Sequence, residues 1–80
     1  MLNKIKEYFQ KMKDKKAFKA GIKKLDAGYY RESAEILAPL VDSPHLNKEM
    51  LYFNLAGALI GQNKLNEGEN YLNKAIEVDS

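Results

Sequence analysis

Residues 52–77, YFNLAGALIGQNKLNEGENYLNKAIE, can be laid over residues 17–42, AFKAGIKKLDAGYYRESAEILAPLVD, at an offset of 35 residues. Phe18 then falls on Phe53, Gly21 on Ala56, Leu25 on Ile60 and Gly28 on Asn63. Past that break, Tyr30 falls on Leu65, Glu32 on Glu67, Leu37 on Leu72 and Val41 on Ile76. Three of these pairs are identities, and the others keep size or turn chemistry in register. A repeat of this length, broken at its middle by a turn residue, predicts stacked helix–turn–helix units. Units of that kind bind partners across a surface and seldom carry chemistry.

Working outward, five helices are predicted. The first covers about residues 2–12, where Leu2, Ile5, Phe9 and Met12 recur at helical spacing as one apolar stripe. Lys4, Lys6, Lys11 and Lys13 occupy other parts of its circumference. The next apolar set, Phe18, Ile22 and Leu25, is rotated, because the six residues from Met12 to Phe18 turn a helix through about 240°. A straight helix does not hold both sets on one face. Asp14 can cap a new helix, so a boundary is placed at 13–15. The alternative is one long helix with two working faces.

The second helix then runs over about 15–27 and stops at Gly28, which accepts a left-handed backbone. The third covers about 30–41, with Tyr30, Ala34, Leu37, Leu40 and Val41 inward and Pro39 kinking its last turn. Residues 42–47, DSPHLN, form the connector. Asn47 caps a fourth helix over about 48–62, and Asn63 stops it. The fifth, about 65–78, turns Leu65, Tyr71, Leu72, Ala75 and Ile76 inward. No alternation long enough for a strand survives between the turn signals.

Eighty residues make one small domain, near the size where a single core barely suffices. With no cysteine, disulfides and thiolate metal sites are excluded and packing alone must hold the core, which fits a reducing compartment. The amino terminus, MLNKIKEYFQKMKDKK, lacks the apolar segment of a secretory signal. The 11-residue stretch MLYFNLAGALI, residues 50–60, is too short to span a bilayer and is interrupted by Asn54. The chain therefore reads as soluble and cytoplasmic. Its net charge of +2 conceals an asymmetry. Residues 1–24 hold nine lysines against Glu7 and Asp14, for +7, whereas residues 25–80 sum to −5. A basic arm on an acidic body implies self-docking or an anionic partner.

The second unit resembles a tetratricopeptide repeat, a family with a pattern of about 34 residues. Tyr52 takes the first aromatic position, Leu55-Ala56 stands for Leu-Gly, and Leu59 takes the next aromatic position. Gly68 is the small residue of the second helix, Leu72 the large apolar one and Ala75 the closing alanine. The first unit agrees at Gly21, Gly28, Tyr30 and Leu37, but departs at Ala17, Ser33 and Leu40. Its segment YYRESAEILAPL is also similar to the related Sel1-like repeats. The resemblance covers about residues 14–80, as two helix pairs at about 14–47 and 48–80, behind a basic helix at 1–13. It implies an all-α, right-handed array of antiparallel helices that acts as a protein-interaction scaffold.

In such arrays the first helix of each pair lines a concave face. That carries Phe18, Ile22 and Leu25 onto the face from the first unit. The second unit adds Met50, Phe53, Asn54 and Ile60. Some family members clamp a terminal carboxylate there; this chain keeps Asn54, but Phe18 and Ile22 stand at two of the clamp positions. What remains is an apolar groove suited to an amphipathic helix. The competing reading makes Phe18, Ile22, Phe53 and Ile60 ordinary core, or has them covered by the stripe Leu2/Ile5/Phe9/Met12. Tyr71 and Leu72 mark an open stack end that a second copy could cover.

Chemistry is not expected. His45 stands alone in a polar connector, and no phosphate-loop, nucleophile-elbow or zinc-protease motif occurs. Glu32 and Glu35 share a helix face that reads as solvated. No cofactor, metal or small-molecule substrate is implied. The expected function is protein–protein interaction, with a helix, a peptide or a second copy as partner. The alternative is an adaptor for an anionic membrane surface or nucleic acid through Lys4, Lys11, Lys13, Lys15, Lys16 and Lys19.

Overall fold

The structure, a computed structural model, describes residues 2–79. They form α1 (Leu2–Asp26), α2 (Tyr30–Leu37), α3 (Lys48–Gly61) and α4 (Leu65–Asp79), with a 3₁₀ turn at Ala38–Leu40. Among the described residues there is no strand.

Among the described residues the α-helices number four, where five were expected. α1 runs for 25 residues straight through the boundary placed at 13–15. Asp14 does not cap a helix start; it sits mid-helix, 7% exposed, with its carboxylate turned toward the connector. Once that carboxylate is paired elsewhere, nothing competes with the helical backbone at this point. The other apparent obstacle, the rotated apolar sets, is met by the two-faced helix. Residues 2–13 are all exposed, while Phe18, Ile22 and Leu25 are half-buried.

Two turns make the helices into hairpins, and they are copies of one another. Gly28 (φ +85°) and Asn63 (φ +64°) both take the left-handed conformation. Tyr29 N–H bonds to Lys24 C=O and Lys64 N–H to Leu59 C=O, each at 2.9 Å. Gly28 N–H bonds to Leu25 C=O at 3.0 Å, and Asn63 N–H to Ile60 C=O at 2.9 Å. This pair of bonds is the Schellman closure of a helix. It recurs at the 35-residue offset read from the sequence. Glycine adopts that backbone freely, and asparagine is among the few other residues that tolerate it.

Short turns return each chain direction antiparallel. In the first hairpin Lys24 faces Glu32, Gly21 faces Ser33 and Leu37, and Asp14 faces Ser43. In the second, Ile60 lies over Gly68 and Tyr52 meets Tyr71. Neighbours in sequence pack most closely, and α1 also touches α3 across the layer. Leu37, Leu51 and Leu55 are fully buried, joined by Ala34, Leu40, Ala58 and Leu59. Phe18, Leu25 and Tyr71 pack on the edge of this core.

Pro39 ends α2 at Leu37, and the chain tightens into a 3₁₀ turn, since proline has no N–H to continue the α-helical ladder. Asn47 caps α3 as expected, its side chain accepting from Met50 N–H at 3.0 Å. Lys48 Nζ donates to Val41 C=O and closes the connector. Several inward assignments fail. Leu65 and Ile76 are well exposed, because nothing packs beyond α4 among the described residues; Tyr30 is partly exposed, with its ring laid against Gly61.

Small residues set the helix spacing. A Cβ built on Gly21 would lie 2.5 Å from Leu37 Cδ2 and 2.7 Å from its Cγ. Leu37 is fully buried and has nowhere to go. Gly21→Ala should therefore lower the melting temperature. The overpacking penalty of about 1–3 kcal/mol outweighs the gain of about 1 kcal/mol in helix propensity. A rise in melting temperature would show that the helices separate freely.

Candidate interaction surfaces

Two apolar surfaces remain uncovered among the described residues, and they differ in charge. The first is on α3 and α4. Met50, Phe53 and Ile60 stand on one side of α3, and Phe53 is 63% exposed. Beside them, a shallow groove of about 150 Å³ is lined by Glu49, Phe53, Leu72, Ala75 and Ile76. A hollow of that size holds about one aromatic ring. Gly68 makes the close approach of α4 to α3 here, since a Cβ on it would lie 2.5 Å from Ile60 Cγ1.

The residues expected to line one face divide between core and surface. Phe18 and Leu25 pack on the core cluster, with Leu25 methyls 3.7–3.8 Å from where a Cβ on Gly57 would be. Ile22 is half-buried, whereas Met50, Phe53 and Ile60 are exposed. Asn54 spends its amide within its own helix, Nδ2 donating to Met50 C=O at 2.7 Å. At the expected stack end, the Tyr71 ring leans on Tyr52 with centroids 5.9 Å apart, and Leu72 is turned into the groove beside Phe53. Leu72 and Ile76 thus belong to the groove. Sequence periodicity missed this for Ile76, because spacing alone does not tell a face that meets a neighbour from one that would meet the next.

The second surface is the projecting half of α1. Leu2 is 73% exposed and Phe9 57%, and Ile5, Tyr8 and Met12 are also open to solvent. The stripe does not fold back over Phe18, Ile22, Phe53 or Ile60. A trough on this helix has Phe9 and Met12 as its floor and Lys13, Lys15, Lys16 and Lys19 around it. Lys4, Lys6 and Lys11 are exposed as well. Other charges are spent in weak surface pairs. Lys24 Nζ lies 3.6 Å from Glu32 and 5.0 Å over the Tyr29 ring, and Arg31 lies 3.9 Å from Glu35.

The projection is rooted at Asp14. Ser43 Oγ donates to Asp14 Oδ2 at 2.6 Å and Gln10 Nε2 to Oδ1 at 2.8 Å. His45 N–H donates to Ser43 Oγ at 3.2 Å, which fixes the connector around the same point. The Ser43 hydrogen bond holds the Asp14 carboxyl below its ordinary value against the opposing pull of desolvation; Gln10 and the nearby His45 charge assist. The sequence offered Asp14 only as a helix cap and did not single out Ser43, since their partnership spans 29 residues.

No family model, curated protein sequence or solved structure matches this chain. No helix among the described residues is long and apolar enough to cross a membrane.

Because the folded-state pKa of Asp14 is depressed, its contribution to stability is present above the unfolded carboxyl value of about 3.9. That contribution is lost as pH falls through the lower folded value. Ser43→Ala should cost about 1–3 kcal/mol at pH 7, and the gap to wild type should shrink below about pH 4. Urea unfolding at pH 7 and pH 3 measures it. An equal gap at both would mean that the bond does not depend on the ionised carboxylate.

Proposed function

We propose that this chain is a non-catalytic protein–protein interaction module of tetratricopeptide type. Two helix pairs form the module, and the basic half of α1 extends from it. The reading draws on the duplicated hairpin turn and on small residues at the close approaches: Gly21, Ala56 and Gly68 are all buried. The single observation that carries the function is Phe53. A large aromatic ring stands in solvent over a groove, held by a helix whose opposite side is core. Full burial of such a ring is worth about 1.5–3 kcal/mol, and a partner's apolar side chain would recover the share that the exposed part of Phe53 forgoes.

The partner best suited to this surface is an amphipathic helix or short peptide laid along α3, anchored by one large apolar side chain at Phe53 and Leu72. A second copy of the chain is the other candidate occupant. The exposed carboxylates Glu32 and Glu35 are paired with Lys24 and Arg31, which supports a solvated face over an acid–base pair. A cysteine-free chain held by packing alone suits the cytoplasm.

Phe53→Glu tests the groove directly, because the side chain is exposed and its replacement leaves the core intact. Peptides selected from a displayed random library on the wild-type chain should bind the variant at least tenfold more weakly, about 1.4 kcal/mol. The melting temperature should be unchanged. Peptides that bind both proteins equally would remove α3 as the recognition surface.

A further inference from the structure

The outer side of α1 carries a second uncovered apolar surface, separate from the groove and bordered by lysines where the groove has Glu49. The body is attached to α1 through the line that contains Asp14, Ala17, Gly21 and Leu25, where the burial and the interhelix contacts lie. At 100° per residue, the stripe Leu2, Ile5, Phe9 and Met12 is centred about 160° from Asp14. The stripe therefore faces away from everything the chain packs against. It occupies about three turns that overhang the body by roughly 18 Å.

Lysines border this stripe on both sides. Lys6 and Lys13 lie along one margin and Lys15 toward the other, while Lys4 and Lys11 stand further round toward the body side, all exposed. Beyond Met12 the same side of α1 continues as Lys16, Lys19 and Lys23. At its far end Tyr29 stands exposed beside Ala20, Lys23 and Ala27. The acidic residues of this stretch are elsewhere: Glu7 is on the body side of the helix, and Asp14 is buried in its own hydrogen bonds. One side of the helix is thus apolar for three turns, then cationic, with an aromatic ring at Phe9 and another, Tyr29, in the turn past its end.

We propose that this side of α1 lies in the plane of an anionic lipid bilayer. The apolar stripe would sink to the acyl boundary, while the lysine stems extend their ammonium groups to the headgroups. Charge selects this occupant. Two copies pairing through their projections would bring together like-charged lysine margins. A phosphate backbone alone gains nothing from Leu2, Ile5 and Phe9, and α1 contains no arginine to read a base edge. Shape agrees, since the side opposite the body can meet a flat surface without α2, α3 or α4 intervening. The α3–α4 groove does not take part, so the proposal does not depend on what that groove binds.

The test is flotation of the full chain with phosphatidylcholine vesicles, with and without phosphatidylglycerol. Binding is expected only to the anionic vesicles and should weaken as salt is raised. Phe9→Glu, and separately the joint change of Lys11, Lys13, Lys15 and Lys16 to Gln, should each reduce partitioning by about tenfold or more. All five positions are exposed, so the melting temperature should stay at the wild-type value. Phe53→Glu should float like wild type, which separates this result from the fate of the groove reading. The proposal is overturned if anionic vesicles do not bind, or if Phe9→Glu binds as well as wild type. It is equally overturned if light scattering finds a dimer that Phe9→Glu dissociates. Tighter binding to a DNA duplex than to vesicles, insensitive to Phe9→Glu, would reassign the surface to nucleic acid.

Discussion

α1 and α2 meet where Gly21 has no side chain and Leu37 fills the space it leaves. That contact sets how near the two backbones come, and the rest of the first hairpin follows from it. At this spacing the Ser33 hydroxyl reaches Gly21 C=O at 2.8 Å, so a fully buried polar side chain is satisfied instead of stranded. With α2 held close, Leu37 joins Leu51 and Leu55 in the centre of the core. Gly68 has the equivalent part in the second hairpin, where Ile60 fills the gap. Large residues opposite small ones let a chain of this size bury leucines without a disulfide.

A second constraint is the continuity of α1. A helix long enough to overhang its body must be held where it leaves the packed region, or its end frays. Here the hold is a charged hydrogen bond from the connector to α1, Ser43 to Asp14. Gln10, one turn toward the free end, closes the other carboxylate oxygen. Residues 2–13 are then carried outward as part of a helix whose other half is fixed, so the direction of their apolar stripe is set by the body.

The two uncovered surfaces follow from these constraints. On α3, the core claims Leu51, Leu55, Ala58 and Leu59, and Phe53 remains on the other side of the helix beside α4. On α1, the body claims only the line through Gly21, and the stripe through Phe9 is left facing out. The groove is bordered by Glu49, the projection by lysines. The charge asymmetry of the sequence thus becomes a spatial separation of two uncovered apolar surfaces with different charged borders.

Much of the fold was legible in the residues. The 35-residue offset placed Gly28 on Asn63, and both are left-handed with matching hydrogen bonds, because turn closure is a local property of few residues. The Asn47 cap was legible for the same reason, but the third helix, expected to run with a kink to about residue 41, stops at Leu37 because Pro39 cannot continue its ladder. The helix break at 13–15 was misread. An aspartate that caps a helix and one that anchors it from the side look alike until Ser43, 29 residues away, is in place. Leu65 and Ile76 were misread as inward because periodicity identifies an apolar face but not whether anything packs on it. The sequence by itself determined the helices, their turns and the segregation of charge, all set by interactions within a few residues. Only the tertiary structure decided that α1 is continuous, which of its two apolar faces is spent on the core, and that Phe53 is free, because each depends on contacts between distant segments.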